Sequence, residues 1–282
     1  MCFRASLVTV AALCAPLASG MFGQPAGDPP AAQTLWLQGN KIKLKTSIYE
    51  SSNLSSHPVL VIVLHGDLLG FREVPASTYH YIFADEVTRK IDDAVAAAIL
   101  RPGYRDHSGE RSEGELGRAI GDNYTRDRVD AVAGVIEELK ARFHPAHTVL
   151  VGHSGGAAIA GNLLGLHPSV VDGALLVSCD CDVAGWRKHM LQMEPKNRVW
   201  SAPIDILSPQ DLAGAVSPSV HIALLTGAGD NIVPPSICRG YVEALRKRVH
   251  NVTFTIAPGL GHDMLLEPVT YDALKNLVQS LK

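Results

Sequence analysis

Residues 148–164 read TVLVGHSGGAAIAGNLL, and the rest of the chain is interpreted from this stretch. Thr148 to Gly152 form a short apolar run with the character of a strand. Gly152-His153-Ser154-Gly155-Gly156 comes next, followed by small and aliphatic residues that read as a helix packed on its small face. The pattern predicts a strand, a sharp turn and a helix, with a serine at the tip. So tight a turn forces strained dihedrals on Ser154, and the residues two before and two after it must lack bulk. Gly152 and Gly156 meet that demand, and Gly155 adds room. The hydroxyl then stands at the N-terminus of the helix, where partial positive charge and free N–H groups can receive a developing oxyanion. A glycine-rich turn whose serine merely caps the helix shares the bare pattern. The strand before it and the helix after it supply the context of a nucleophile.

Outward from this stretch, apolar runs alternate with amphipathic ones. Leu35 to Leu37 and Ile42 to Tyr49 alternate around Gly39-Asn40, the signature of an opening hairpin. Apolar runs at Pro58 to Leu64, Val95 to Leu100, Ala174 to Ser178 and His221 to Thr226 read as buried strands, with Val252 to Ile256 as the last strand. Helices are predicted over 79–91, 125–143, 186–193, 236–249 and 269–281, the second with Thr125 as N-cap and Asp127 in its first turn. Arg101 to Asp122 is a long polar, glycine-rich loop of the kind that carries function. The alternation predicts an α/β fold: a doubly wound, mostly parallel eight-stranded sheet with two antiparallel strands at the entry edge. The connection between Ser178 and His221 is broken by prolines and leaves room for a minimal cap only. Ligands in such sheets bind beyond the carboxyl ends of the strands, and each candidate below lies just after a strand.

The chain has 282 residues, 46% of them hydrophobic and 19% charged, with a net charge of -3. That composition supports a large core, and the scattered Lys and Arg argue against nucleic acid as a partner. Arg4, the apolar run Ala5 to Leu17 and Ala18-Ser19-Gly20 read as a signal peptide over 1–20, which implies export to the periplasm or beyond. Met21 offers the alternative of a cytosolic start. Residues 21–33 read as a disordered linker and 34–282 as the domain. The apolar run is too short for a comfortable membrane span, and Leu13 before Cys14 spoils a lipoprotein signal, so no stable membrane anchor is expected. Cleavage leaves Cys179, Cys181 and Cys238, enough for one disulfide and one thiol. Their spacing does not suit a zinc site.

A serine hydroxyl needs a base that takes its proton during attack. His262, in the loop Pro258 to Asp263 after the last strand, is the candidate; His65 and His153 flank site turns and are weaker rivals. The base needs a carboxylate on its far nitrogen. Asp230, ending the turn Thr226 to Asp230, is favoured over Asp180 and Asp182 after the preceding strand.

The order Ser154, Asp230, His262 resembles that of the alpha/beta-hydrolase superfamily, and the likeness runs from about Leu35 to the C-terminus. Spacing and small inserts are closest to prolyl-oligopeptidase-like serine peptidases and their esterase relatives. The resemblance implies a hydrolase acting on a small-molecule ester or peptide substrate through an acyl-enzyme, with no metal or cofactor. It implies an oxyanion hole from the N–H groups of Gly155 and of Asp67, which follows His65-Gly66. Asp67 departs from the glycine frequent at that place, and its side chain is expected to point outward as a brace or to meet a cationic substrate group. Tyr104, in Arg101 to Tyr104, lies in a turn expected to border the substrate. Trp186, with Met190 and Met193, is either a small apolar lid over the substrate or the buried face of a helix. A disulfide from Cys238 to Cys179 or Cys181 would pin the acid loop. An acyltransferase using the same triad, and a non-catalytic scaffold of the same fold, remain open at this point. Oligomeric state does not follow from the sequence.

Overall fold

A computed structural model of the chain describes residues 31, 33–67, 79–117, 121 and 123–282. The expected signal peptide and nearly all of the expected linker lie outside the described residues, and the first strand already begins at Gln33. Strands β1 (Gln33–Gly39) and β2 (Ile42–Glu50) form the hairpin expected around Gly39-Asn40, closing with Gly39 opposite Ile42. Asn40 takes a φ of 56°, a left-handed conformation that Asn tolerates better than most residues.

The remaining strands are β3 (Val59–Leu64), β4 (Ala94–Ile99), β5 (His147–His153), β6 (Gly173–Val177), β7 (His221–Gly227) and β8 (Asn251–Ala257). They form one eight-stranded sheet in the order β1-β2-β4-β3-β5-β6-β7-β8. β2 pairs antiparallel with both β1 and β4, and every later pairing is parallel. Only β2 therefore runs against the rest, and the antiparallel pair β1 and β2 stands at the entry edge, as expected.

Helices cover both faces. On one lie α1 (Tyr79–Lys90) and α7 (Pro268–Ser280); on the other lie α2 (Arg126–Phe143), α3 (Gly155–Leu166) and α6 (Pro235–Arg246). Two-sided cover explains the unbroken apolar runs. In β3, Leu60, Ile62 and Leu64 enter the α2/α3 core while Val59, Val61 and Val63 enter the α1/α7 core. β4 is rich in alanine, a helix former. It is still a strand, because it has only six residues and lies between two neighbours in the sheet. Ala96 and Ala98 face the core that holds Phe83 and Val87 of α1, and their small size lets that helix settle closely.

Between β6 and β7 lie α4 (Val183–Met193), the short helix α5 (Pro209–Leu212) and two 3-10 turns (Arg198–Ser201 and Ala213–Ala215). Trp186, Met190 and Trp200 form a small separate apolar cluster with Val233, and this is the minimal cap. Among the described residues no helix is long and apolar enough to cross a membrane.

The strand order reverses between β3 and β5: the chain moves from β3 outward to β4, then returns to place β5 on the other side of β3. A crevice opens beyond the carboxyl ends of strands at such a switch point. The turn at His65-Gly66-Asp67 and the turn at Ser154 stand on its two sides.

Candidate active site

Ser154 joins β5 to α3 with φ 53° and ψ -125°, a strained conformation for a residue with a side chain. The turn is held from below, where the Ser154 N–H donates to Val177 O of β6 at 2.9 Å. A Cβ on Gly152 would lie 2.4 Å from Gly156 O, and one on Gly156 would lie 2.4 Å from His65 O. Both glycines are thus required by close backbone approach. Gly155 is required for a reason the sequence does not reveal: a Cβ there would lie 2.4 Å from Asp67 Oδ1 and 2.7 Å from the Tyr124 hydroxyl.

Three side chains distant in sequence meet at Ser154. His262 Nε2 is 3.0 Å from Ser154 Oγ, and His262 Nδ1 is 3.0 and 3.2 Å from the two oxygens of Asp230. The Asp230 carboxylate also accepts from the N–H groups of Ile232 and Val233 at 3.0 and 2.8 Å. Burial works against its ionisation, yet the hydrogen bonds and charge of His262, with further bonds from Val233 and Ser178, hold its carboxyl below the usual range. An ionised Asp230 requires the imidazole proton on Nδ1. The lone pair of Nε2 then faces the serine hydroxyl, as abstraction of its proton requires.

His65 and His153, the weaker rivals, serve the frame of the site. The Arg101 N–H donates to His65 Nε2 at 3.0 Å, so His65 carries its proton on Nδ1 and donates to Gly66 O. His153 Nε2 meets His262 O at 2.9 Å, leaving Nδ1 to accept from the Tyr79 hydroxyl at 3.1 Å; that hydroxyl in turn accepts from the Gly66 N–H. One unbroken chain of donors therefore links the Gly66 turn to the His262 loop. Burial, reinforced by the nearby His262, pushes the His153 imidazole down to about 4 and keeps it neutral. Tyr79 carries no motif, and only the fold brings it here.

Asp67 corrects an expectation. Its side chain neither points outward nor stands ready for a cationic substrate group; it is buried against Gly155. Oδ1 accepts from Arg101 Nη1 at 2.8 Å and Tyr104 Oη at 2.9 Å, while Oδ2 accepts from the Gly121 N–H at 2.9 Å and Tyr124 Oη at 2.8 Å. Burial opposes the charge, but Arg101 and these donors hold the carboxyl below its usual range. The anion is thereby compensated beside the donors of the proposed oxyanion hole. Gly66 packs on the serine, since a Cβ there would lie 3.0 Å from Ser154 Cβ, and this brings the Asp67 turn alongside the elbow.

Tyr104 and Trp186 were expected to border the substrate, and both are buried. Tyr104 stacks edge-on against His65 and gives its hydroxyl proton to Asp67. Trp186 donates its indole N–H to Ile232 O at 2.9 Å and lies against Gly121, where a Cβ would approach the ring to 2.2 Å. Each side chain supports a wall of the site, and Trp186 fits the buried-face reading. Asp182 caps α4 through the Gly185 N–H, and Asp180 meets Tyr124, so neither rival acid reaches His262. Cys179 is paired with Cys181, and Cys238 is a buried free thiol whose Sγ donates to Cys179 O. The expected bridge from Cys238 to the β6 rim is therefore absent.

The model of the alpha/beta hydrolase family matches residues 61–217, more than half of the chain. No curated protein matches the chain in sequence. Among solved structures, Est1E from Butyrivibrio proteoclasticus is similar with 15% identity and a TM-score of 0.62, over 88% of this chain and 98% of that one. The esterase Pf2001 of Pyrococcus furiosus has 12% identity and a TM-score of 0.65, over 92% and 98%. An acylaminoacyl peptidase in complex with Z-Gly-Gly-Phe-chloromethyl ketone has 13% identity and a TM-score of 0.61, over 88% of this chain and 40% of that one. Identities this low establish a common fold and nothing finer. The family match, a strained serine between β5 and α3, and a sheet with only β2 reversed agree: the chain belongs to the alpha/beta hydrolase family.

Proposed function

We propose that this protein is a serine hydrolase that cleaves an ester or a peptide/amide bond through an acyl-enzyme. The observation that carries the reading is the pair of 3.0 Å contacts that join Ser154 Oγ to His262 Nε2 and His262 Nδ1 to Asp230 on a strained elbow. Ser154 Oγ attacks the carbonyl carbon while its proton passes to Nε2, and Asp230 stabilises the imidazolium. The carbonyl oxygen becomes an oxyanion, held by the N–H groups of Gly155 and Asp67. As the tetrahedral intermediate collapses, the bond to the leaving alcohol or amine breaks, and that group takes the proton from His262. Water then attacks the acyl-serine and gives a proton to His262; as the second intermediate collapses, the acyl–Oγ bond breaks, His262 returns that proton to Ser154 Oγ, and the acid leaves.

A small-molecule ester or a short peptide suits the minimal cap. Est1E has been seen with ferulic acid bound, a carboxylic acid such as ester cleavage releases, and the acylaminoacyl peptidase with a peptide-based chloromethyl ketone. Export is part of the proposal, supported by the Cys179–Cys181 pair, since disulfides persist mainly in oxidising compartments. The test is labelling with a fluorophosphonate probe, mapping of the adduct, and assays on p-nitrophenyl esters and aminoacyl amides. Adduct at Ser154 with turnover of one panel is expected. An unlabelled protein that turns over neither panel would overturn the reading, and dominant acyl transfer to added alcohols would replace hydrolase by acyltransferase.

A further inference from the structure

Tyr124 stands between two carboxylates. Its hydroxyl oxygen is 2.8 Å from Oδ2 of Asp67 and 2.7 Å from Oδ2 of Asp180, and all three side chains are withdrawn from solvent. A phenol has one proton and donates to one acceptor. Two contacts this short therefore require that one of the carboxyl groups bring a proton of its own. Asp67 is the ionised member, for it is paired with the Arg101 guanidinium and already receives Tyr104 Oη and the Gly121 N–H. Asp180 is not ion-paired in that way, and among the described residues its Oδ1 has no hydrogen-bond partner. The proton belongs on Asp180.

We propose that Asp180 is a positioning residue that acts in its protonated form: its carboxyl O–H donates to Tyr124, the Tyr124 O–H donates to Asp67, and this relay holds the Asp67 turn against the elbow. The inference rests on the serine-hydrolase reading of the site and deepens it. Asp180 lies within the loop closed by the Cys179–Cys181 pair after β6, which restrains its backbone. The groups facing it are Tyr124 at the entry to α2, Asp67 after β3, Arg101 after β4 and Cys238 on α6. Burial and the charge of Asp67 push its carboxyl up to about 7, while the Tyr124 hydrogen bond, a bond from its own backbone N–H and Arg101 act in the opposite sense. Cys238, pushed up to about 12 by burial and by the charges of Asp180 and Asp230, stays a thiol and does not compete. Tyr124 is itself raised well above its ordinary value by burial and the two carboxylates.

Loss of the Asp180 proton has two effects. Tyr124 keeps one O–H for two anions, so one contact becomes repulsive and the Asp67 turn loses its clamp. A second negative charge also arrives close to Gly155, whose N–H is a proposed oxyanion donor, because a Cβ at Gly155 would lie 2.7 Å from the Tyr124 hydroxyl. Both effects oppose an oxyanion more than they oppose a neutral ground state. Turnover therefore falls as pH rises through the Asp180 ionisation, opposite to the limb set by His262, which loses its base as pH falls.

The test is the pH profile of kcat and KM for the full chain on a soluble ester. The wild type should show an alkaline limb in kcat with a midpoint near 7, falling about tenfold because an oxyanion donor is misplaced but not removed, with KM little changed. D180N, whose amide donates to Tyr124 at every pH, should keep the low-pH rate and lose that limb. The same limb in D180N overturns the relay. Infrared difference spectra of the wild type give a readout that does not depend on a variant folding. A protonated-carboxyl C=O band should vanish with the midpoint of the kcat limb, and absence of a titrating band also overturns it. Fluorophosphonate labelling in parallel separates the two readings. A wild type labelled at Ser154 whose limb survives D180N refutes the relay and leaves the triad standing. A wild type without label refutes the hydrolase reading, and the carboxyl band then decides the relay alone.

Discussion

His262 Nε2 lies 3.0 Å from Ser154 Oγ, and the opposite nitrogen of the same ring lies 3.0 Å from Asp230 Oδ2. Groups that act as a unit are lost as a unit. Ser154→Ala should lower kcat on the best ester by roughly 10⁴-fold or more, and Ser154→Ala with His262→Ala should be hardly worse than either alone. Asp230→Asn should lower kcat by about 10⁴-fold through the wrong imidazole tautomer. Its amide oxygen still accepts from Ile232 and Val233, so the melting temperature should barely move. Additive losses across the pair, measured by steady-state kinetics, would show that the side chains do not cooperate.

Arg101 is fully buried with Asp67 as its counter-charge. Asp67→Ala strips the buried guanidinium of its paired carboxylate and leaves the neutral His65 O as acceptor, a loss of about 3–5 kcal/mol for buried pairs broken on one side. Replacing both partners, as Asp67→Ala with Arg101→Met, should restore a good part of that, because the cost lies in the orphaned charge. Urea titrations of the wild type, the single variant and the double variant measure it. A double variant less stable than Asp67→Ala would mean that the guanidinium is not stranded.

Cys179 and Cys181 are paired and Cys238 is free. Alkylation of the denatured, unreduced protein should therefore modify Cys238 and spare the peptide that carries the other two. Reduction should then expose both of those thiols together. Mass mapping that finds Cys238 joined to either partner would instead restore the bridge across the acid loop.

Much of this architecture is legible because local pattern and global fold agree. The runs at Val59–Leu64 and His147–His153 are apolar on both faces because helices cover both faces, and the glycines around Ser154 announce a turn that no larger side chain could make. Ser154, Asp230 and His262 each lie in the turn or loop that follows a strand, so strand and turn signals locate them. What stayed hidden is what depends on side-chain direction. Nothing in the sequence says that Asp67 turns inward onto Arg101, Tyr104 and Tyr124, that Tyr79 reaches back to Gly66, or that Asp180 shares a hydroxyl with Asp67. Those contacts join residues 13 to 57 positions apart, and a one-dimensional pattern does not carry them. Tyr104 and Trp186 were associated with substrate because aromatic residues near a site have two uses, lining it or propping it. Burial decides for the second.

His153 is neutral in the folded protein, with its imidazole pushed down to about 4 by burial and by His262. In the unfolded chain it takes up a proton below its ordinary value of about 6.5. Between those two values the unfolded state binds the extra proton, so stability is complete above about 6.5 and is lost as pH falls toward 4. The full shift corresponds to about 3 kcal/mol. His65, held well below its ordinary value by burial and by the neighbouring His80 and Arg101, acts in the same direction. The wild type should thus lose stability steadily on acidification through this window. His153→Gln, which can keep a bond to His262 O but cannot be protonated, should lose about 3 kcal/mol less across it. Urea midpoints taken at several pH values for both proteins decide the matter. Parallel curves would show that the imidazole of residue 153 is charged in the native state, and the donor chain from Gly66 to His262 could not then exist as drawn.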